Sequence, residues 1–241
     1  MIGLEFKIEK KMKGKKVVPT HVAIIPDGNR RWAREKGLKS VEGYKAVSYE
    51  HLESLFLEAK KAGVKYMSLW IFSTENWKRP KSEIKFLFNH FSRNVKTLLE
   101  GSIKNKVRVR HIGRKDRLPE DIVKSLNELE EKTKGFKEFN LQLCFDYGGK
   151  DEIVRAVNKI LESGVKEIKG DQFLEYLDTW EIPDPELIIR TSGEKRTSGL
   201  MPYQSGYAEL YFEKKFFPDF TPEDLRKAIE EFDRRKRNFG E

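Results

Sequence analysis

Two hydrophobic rhythms alternate along the chain. Short, strongly apolar runs stand at 22–25, 66–72, 107–112, 141–145, 187–190 and 209–212. Runs of that length, bounded by polar or turn residues, predict β-strands. Between them, apolar residues recur at three- and four-residue spacing, the signature of amphipathic helices. One such stripe is Leu52, Leu55, Phe56 and Ala59; a longer one is Ile84, Leu87, Phe88, Phe91, Val95, Leu98 and Leu99. Pro119 opens a helix with Ile122, Val123, Leu126 and Leu129 on one face, and Ile153, Val154, Val157, Ile160 and Leu161 mark another. Thr221-Pro222-Glu223-Asp224 reads as an N-cap, a proline in the first helical position and acids in the first turn, starting a helix that runs to about Arg237.

Strands alternating with helices predict an α/β fold, a mostly parallel sheet with helices on both faces. No linker, repeat or low-complexity tract divides the chain, so 18–241 reads as one domain. The segment 1–17 is a basic tail with Leu4, Phe6, Ile8 and Met12 interspersed. It reads as loosely ordered, or alternatively as an interfacial anchor.

Ligands of such folds bind beyond the carboxyl ends of the strands. Here the segments just past those ends are rich in arginine, acids and amides: Asp27-Gly28-Asn29-Arg30-Arg31, 73–80, 113–117, 146–149 and 190–198. The first follows the apolar run 22–25 and precedes a basic, helix-favouring stretch. A helix N-terminus and arginines suit phosphate. Asp27 would repel a phosphate unless a cation joins them, and Mg²⁺ is typically held by one or two carboxylates plus substrate phosphates. The plain alternative is an ordinary turn followed by a solvated helix face. The stripe 84–99 is likewise open to two readings, a core helix or one wall of a long apolar cleft.

Composition narrows the field only a little. Forty-eight Lys and Arg against thirty-nine Asp and Glu leave +9 over 241 residues. That suits an anionic substrate, a membrane surface or nucleic acid. The single cysteine, Cys144, excludes an intrachain disulfide and reads as a buried thiol. No apolar stretch reaches the length of a membrane span, and the first twenty residues lack a signal-peptide core. The chain therefore reads as cytoplasmic, with peripheral contact at the membrane surface as a further expectation. No nucleic-acid-binding motif occurs, and the basic residues gather with carboxylates, so nucleic acid is not expected as a partner.

Taken together, and in order, several motifs resemble the cis-prenyltransferases, the undecaprenyl and polyprenyl diphosphate synthase family. They are His-Val-Ala-Ile-Ile-Pro-Asp-Gly-Asn-Arg-Arg-Trp-Ala from His21, Gly43-Tyr44-Lys45-Ala46, Phe72-Ser73-Thr74-Glu75-Asn76-Trp77-Lys78-Arg79-Pro80 and Asp146-Tyr147-Gly148-Gly149. Arg190-Thr191-Ser192-Gly193-Glu194, Arg196-Thr197-Ser198 and Tyr207-Ala208-Glu209-Leu210-Tyr211-Phe212 complete the set. The two-arginine loop after Pro26 is similar to the archaeal branch.

The resemblance implies a central, mostly parallel six-stranded sheet, flanked by helices, with an apolar tunnel between sheet and helices. It implies Mg²⁺-dependent condensation of isopentenyl diphosphate with an allylic prenyl diphosphate, giving a polyprenyl diphosphate lipid-carrier precursor. It also implies a homodimer, or a heteromer in some lineages; a subunit of such a heteromer and a related enzyme using another prenyl acceptor are the alternative readings. By matched position, Asp27 and Asn76 are the expected catalytic residues, and Asp27 and Glu209 the expected metal contacts. The expected substrate-binding residues are Gly28, Asn29, Arg30, Arg31, Trp32, Lys39 and Tyr44 at the first loop. At the second they are Ser73, Thr74, Glu75, Trp77 and Arg79, and at the third Arg190, Arg196 and Ser198.

The match has gaps. Tyr44 stands where the family commonly has histidine, Ser40 where well-known bacterial members have arginine, and Lys195 where a histidine often follows Gly-Glu. The C-terminal Arg-x-Gly reads Asn238-Phe239-Gly240, with Arg237 one position early. These positions bear on the allylic primer and on whether a homodimer is self-sufficient.

Overall fold

Strand β1 (His21–Ile25) is buried at every position and lies inside the sheet, between β2 (Tyr66–Ser73) and β5 (Leu187–Arg190). The structure, a computed structural model, describes residues 16–236. The expected N-terminal anchor residues and the departures at Arg237 and Asn238 lie outside the described residues. With β3 (Val107–Ile112), β4 (Phe139–Tyr147) and β6 (Glu209–Phe212), the sheet order is β3-β4-β2-β1-β5-β6, and every pairing is parallel. The expected α/β fold is what forms.

The helices are α1 (Asn29–Glu35), α2 (Ser40–Lys45), α3 (Tyr49–Ala62), α4 (Lys81–Lys104), α5 (Glu120–Thr133), α6 (Gly149–Ser163) and α7 (Pro222–Arg234). Their ends follow from local chemistry. Ser48 caps α3 by accepting from the His51 amide, and Gly63 ends it at φ 101°. Thr221 and Asp224 form the capping box expected at the start of α7. The basic stretch after Asp27 is not one helix but two short ones, broken at Gly37, whose φ is 68°.

Strand alternation divides the core between the two sheet faces. Val22, Ile24, Met67, Leu69, Leu141 and Leu143 meet α3, α4, α5 and α7 on one face; Ala23, Ile25, Cys144 and Ile188 pack with Leu200 and Met201 on the other. α6 departs from its predicted face. Val154, Val157 and Leu161 are exposed, whereas Glu152 and Ala156 are buried. Glu152 enters the core because it is fully partnered: Tyr147 Oη donates to it at 2.6 Å, Gln204 Nε2 at 3.1 Å and the Asp178 amide at 3.0 Å.

The chain leaves β1 toward β2 and leaves β5 toward β6, in opposite directions. The carboxyl ends of β1 and β5 therefore flank the switch point where such sheets open a crevice. Ile25 and Arg190 are register partners there, so the loop from Asp27 and the loop from Thr191 face each other.

The same β1 carries a pH liability. His21 is fully buried, with Nδ1 2.6 Å from the Pro183 carbonyl and Nε2 2.8 Å from Ser68 Oγ. Burial pushes its pKa down to about 4, against weaker raising effects from the Pro183 carbonyl and Glu186. Because the folded value is depressed, stability is complete above the unfolded value of about 6.5 and is lost as pH falls toward 4. We expect this group alone to remove about 3 kcal/mol between pH 7 and pH 4. Denaturant titrations across that range check it, and a flat unfolding free energy would refute it. His51, His90 and His111 are shifted the same way by burial.

Candidate active site

A cavity of about 940 Å³ opens at the switch point and runs between the sheet and helices α3 and α4. One end is polar, the other apolar.

Asp27 occupies the polar end. Its amide donates to Thr191 Oγ1 at 2.9 Å, and Thr191 Oγ1 donates back to the Asp27 carbonyl at 2.7 Å. This stitches the β1 and β5 loops together. Asp27 Oδ1 accepts from the Gly28 amide at 2.7 Å; Oδ2 accepts from Arg190 Nη2 at 2.9 Å and lies 3.5 Å from Arg31. Partial burial would raise the carboxyl's pKa. The Arg190 hydrogen bond and charge, with the Gly28 amide and Arg31, outweigh that and hold it below the usual range. Asp27 is therefore an anion at neutral pH. Gly28 is required where it stands, at φ 102°, because a Cβ would fall 2.5 Å from the Phe216 ring and 2.8 Å from Ser192 Cβ.

The loop after β5 completes this corner. Arg190, almost fully buried, donates through Nη1 to Ser198 Oγ and to the Arg196 carbonyl, both at 2.6 Å. Ser192 and Ser198 hold positive φ, 76° and 52°, which marks a backbone bent out of its easy range. Arg31 spans to this loop, donating to Ser192 Oγ at 2.5 Å and to Glu194 at 2.9 Å.

A second polar group lies across the cavity. Arg79 Nη1 donates to Tyr44 Oη at 2.7 Å and to Glu83 Oε1 at 3.1 Å, and Tyr44 Oη donates to Glu83 at 3.0 Å. Burial, assisted by Glu83 and opposed by Arg79, pushes the Tyr44 phenol up to about 12. Tyr44 thus stays neutral and bridges an arginine to a glutamate, where a histidine would bring a titratable charge. Nearby, Ser73 and Asn76 cap each other at the 3-10 turn Thr74–Lys78, with the Ser73 amide donating to Asn76 Oδ1 at 3.1 Å.

Not every expected residue reaches the cavity. Gly28, Asn29, Arg30, Arg31, Lys39 and Tyr44 line it, as do Ser73, Glu75, Asn76, Arg79, Arg190 and Ser198. Trp32 does not; its indole donates to Asp219 at 2.8 Å and Lys36 lies over its ring. Thr74 packs under Gly148, and Trp77 points beneath the turn to Asp146, 2.8 Å away. The Arg196 side chain is mostly exposed and pairs with Glu194. Glu209 is further removed. It begins β6 at the register level of Leu187 and Val22, and Arg235 binds it at 2.8 Å. At about 3.3 Å per residue and about 4.8 Å per strand, its backbone is roughly 15–20 Å from Asp27. Within the chain these two carboxylates do not share one ion. His90 and Asn94 also line the cavity from α4, a polar pair at i, i+4 that interrupts an apolar stripe and that sequence reasoning passed over.

The apolar end separates residues that periodicity grouped together. Leu87, Phe91, Val95 and Leu98 of α4 face the cavity, with Leu52 and Phe56 of α3. Ile84, Phe88 and Leu55 are instead packed in the core; Phe88 touches Phe72, Trp77 and Phe145.

A polar rim gripping one carboxylate, set over an apolar chamber, suits a molecule with an anionic head and a long hydrocarbon tail. A family model described as "Putative undecaprenyl diphosphate synthase" matches residues 25–240. An isoprenyl transferase from Aquifex pyrophilus is 46% identical over 224 residues, covering 92% of this chain and 96% of that protein. One from Thermotoga maritima is 46% identical over 227 residues, covering 92% and 97%. Among solved structures, lavandulyl diphosphate synthase from Lavandula x intermedia, in complex with dimethylallyl diphosphate, superposes with a TM-score of 0.89 at 32% identity, covering 94% of this chain and 100% of that one. These relatives are bacterial and plant proteins and lend no support to the archaeal expectation. On the family match, the identity and the shared architecture, the chain belongs to the undecaprenyl diphosphate synthase family and is a cis-prenyltransferase.

Proposed function

We propose that the enzyme condenses isopentenyl diphosphate with an allylic prenyl diphosphate and holds the growing polyprenyl diphosphate in the α3–α4 cavity. The observation that carries this is the cavity itself, about 940 Å³ with arginines and Asp27 at one end and aliphatic and aromatic side chains at the other. Only an apolar channel keeps a growing hydrocarbon out of water.

The allylic carbon–oxygen bond breaks with its electron pair leaving on the diphosphate. Fixed cations must meet the charge that develops there. Arg30, Arg31, Lys39 and Arg79 line the rim where that head group would lie. The isopentenyl double bond attacks the allylic carbon, and a proton then leaves the new chain. Asn76 carries no strong base, and its amide oxygen is engaged by the Ser73 amide, so it orients the reacting carbon. The proton goes to a diphosphate oxygen. Arg190 and Ser198 would hold the isopentenyl diphosphate.

Mg²⁺ fits this corner. Asp27 offers a hard anionic oxygen, and Asn29 Oδ1 is buried there with no partner, while the remaining ligands of a magnesium ion are ordinarily substrate phosphates and water. Bound, the ion would neutralise charge on the diphosphate. Glu209 has no part in that set within one chain. The homodimer belongs to this reading too: among the described residues β6 is an edge strand of the sheet, and α6 leaves Val154, Val157 and Leu161 exposed for a second chain. Light scattering tests it. Among the described residues no helix is long and apolar enough to cross a membrane; peripheral contact with a lipid surface is part of this reading.

Incubating the protein with labelled isopentenyl diphosphate, allylic diphosphates of several lengths and Mg²⁺, then separating the products, tests the reaction. Failure to incorporate label with any primer would refute it. The cavity makes a sharper forecast. Phe91→Ala should lengthen the products, because that ring lines the chamber. Phe88→Ala should leave product length alone and cost about 3–5 kcal/mol of stability, as a core cavity does. Identical product profiles for Phe91→Ala and wild type would remove Phe91 from the channel wall.

A further inference from the structure

The Asp146-Tyr147-Gly148-Gly149 motif has no role in the site described so far, yet it is the most constrained stretch beside it. Asp146 is wholly buried, with φ 50° in the left-handed region although it is not glycine. On the β2–β4 ladder, Phe72 pairs with Phe145 and Ser73 with Tyr147, so Asp146 has no partner and is the extra residue of a β-bulge. One step earlier, Trp70 pairs with Cys144 and Phe72 with Phe145, leaving Ile71 as an extra residue on β2. The two insertions compensate. Ser73 leaves the sheet in the register that Trp70 had, and it leaves into the turn that carries Asn76.

The Asp146 carboxylate ties that turn down. Oδ1 accepts from Trp77 Nε1 at 2.8 Å and from Arg117 Nη2 at 2.5 Å, and Oδ2 accepts from Arg117 Nε at 2.9 Å. The Arg117 guanidinium also lies over the Trp77 ring, 5.8 Å from its centroid. Phe72 and Phe88 hold the same indole edge-on at 5.4 and 5.6 Å. From the other side Gly148 presses on Thr74, since a Cβ there would fall 2.2 Å from Thr74 Oγ1. In a 3-10 turn successive side chains are about 120° apart. Fixing Trp77 beneath the turn therefore fixes the direction in which its neighbour Asn76 enters the cavity.

We propose that Asp146 is a positioning residue for prenyl transfer. Through the Trp77 indole it sets the orientation of the Ser73–Asn76 turn against the reacting carbons. The inference rests on the functional reading above and adds a residue that touches neither substrate. Displacing a reacting group by about 1 Å can cost a hundredfold in rate, and the clamp holds the turn against such drift.

The test is steady-state kinetics on the full chain, with turnover expressed per folded molecule by circular dichroism. Asp146→Asn keeps side-chain size and tolerates positive φ but removes the charge. Trp77→Phe keeps the ring and removes the donor. Each should lower kcat about tenfold or more while KM for both diphosphates stays within about twofold, the pattern of a lost transition-state alignment. Because both loosen one clamp, Asp146→Asn by losing its charge and the Oδ2 acceptor of Arg117 Nε, Trp77→Phe by losing the donor to Oδ1, the double variant should be no slower than the slower single. Full kcat in either folded variant, a rise in KM alone, or losses that multiply would overturn the proposal. If Asp146→Asn does not fold, Trp77→Phe decides the question. A wild-type chain that transfers no prenyl group would instead refute the functional reading itself.

Discussion

Asp27→Ala is expected to lower kcat by about a thousandfold or more, with much smaller changes in substrate KM. Removing one fixed group that meets developing charge already costs about a hundred- to a thousandfold, and Asp27 is proposed to place a divalent cation on the leaving diphosphate. Alanine would also leave Arg190, nearly buried and with Nε already lacking a partner, facing a corner without its carboxylate. Some loss of stability would follow. Asp27→Asn separates the two effects. The amide keeps the side-chain size and one of the two oxygens, so it serves either the Gly28 amide or Arg190 Nη2 and not both, and it brings no charge. It should be more stable than alanine and nearly as inactive. Near-normal turnover of Asp27→Asn, with unchanged Mg²⁺ dependence, would end the assignment.

Asp27 was legible in the sequence because its setting is local. An apolar run, a turn and two arginines lie within ten residues, and parallel pairing follows from the alternation of strands and helices. The order of the strands was not legible, since nothing in β1 states that β5 rather than β4 lies beside it. Residues whose partners are far along the chain stand elsewhere than their motifs predict, for the same reason. Trp77 lies in a motif of cavity residues, but its partner Asp146 is on β4 and turns it away from the cavity. Trp32 is drawn off by Asp219 in the same manner. Glu209 alternates with its neighbours as a site residue would, yet only the register shows it at the far end of the strand. The face of α6 was misread because periodicity counts apolar residues. Glu152 enters the core through Tyr147, Gln204 and the Asp178 amide, none of which the helix itself contains. Phe88 and Phe91 lie three apart on one stripe and are both buried; which of them meets empty space depends on where α4 leaves the sheet.

Arg190→Ala should affect isopentenyl diphosphate binding far more than Arg196→Ala, although the sequence presents the two arginines as equals. Arg190 is nearly buried, lines the cavity and is held by Asp27, Ser198 and the Arg196 carbonyl. The Arg196 side chain is about 60% exposed, pairs with Glu194 and does not line the cavity. A charge-assisted hydrogen bond is worth about 1.5–3 kcal/mol, so losing Arg190 should raise KM for isopentenyl diphosphate about tenfold or more. Solvent screens an exposed pair, so Arg196→Ala should change it only a few-fold. A second signature distinguishes Arg190 from a simple binding group. It is the principal partner holding the Asp27 carboxyl below the usual range. In wild type Asp27 stays ionised as pH falls, and loses its charge only below the ordinary carboxylate range. Without Arg190 the opposing effect of burial is less compensated and the carboxyl's pKa rises. The acid limb of the kcat/KM profile should therefore move to higher pH in Arg190→Ala and stay in place in Arg196→Ala. Equal KM effects for the two variants with an unmoved acid limb would show that Arg190 neither binds the diphosphate nor governs Asp27. A response confined to the allylic substrate would instead place the isopentenyl diphosphate away from the β5 loop, and exchange the two halves of the proposed site.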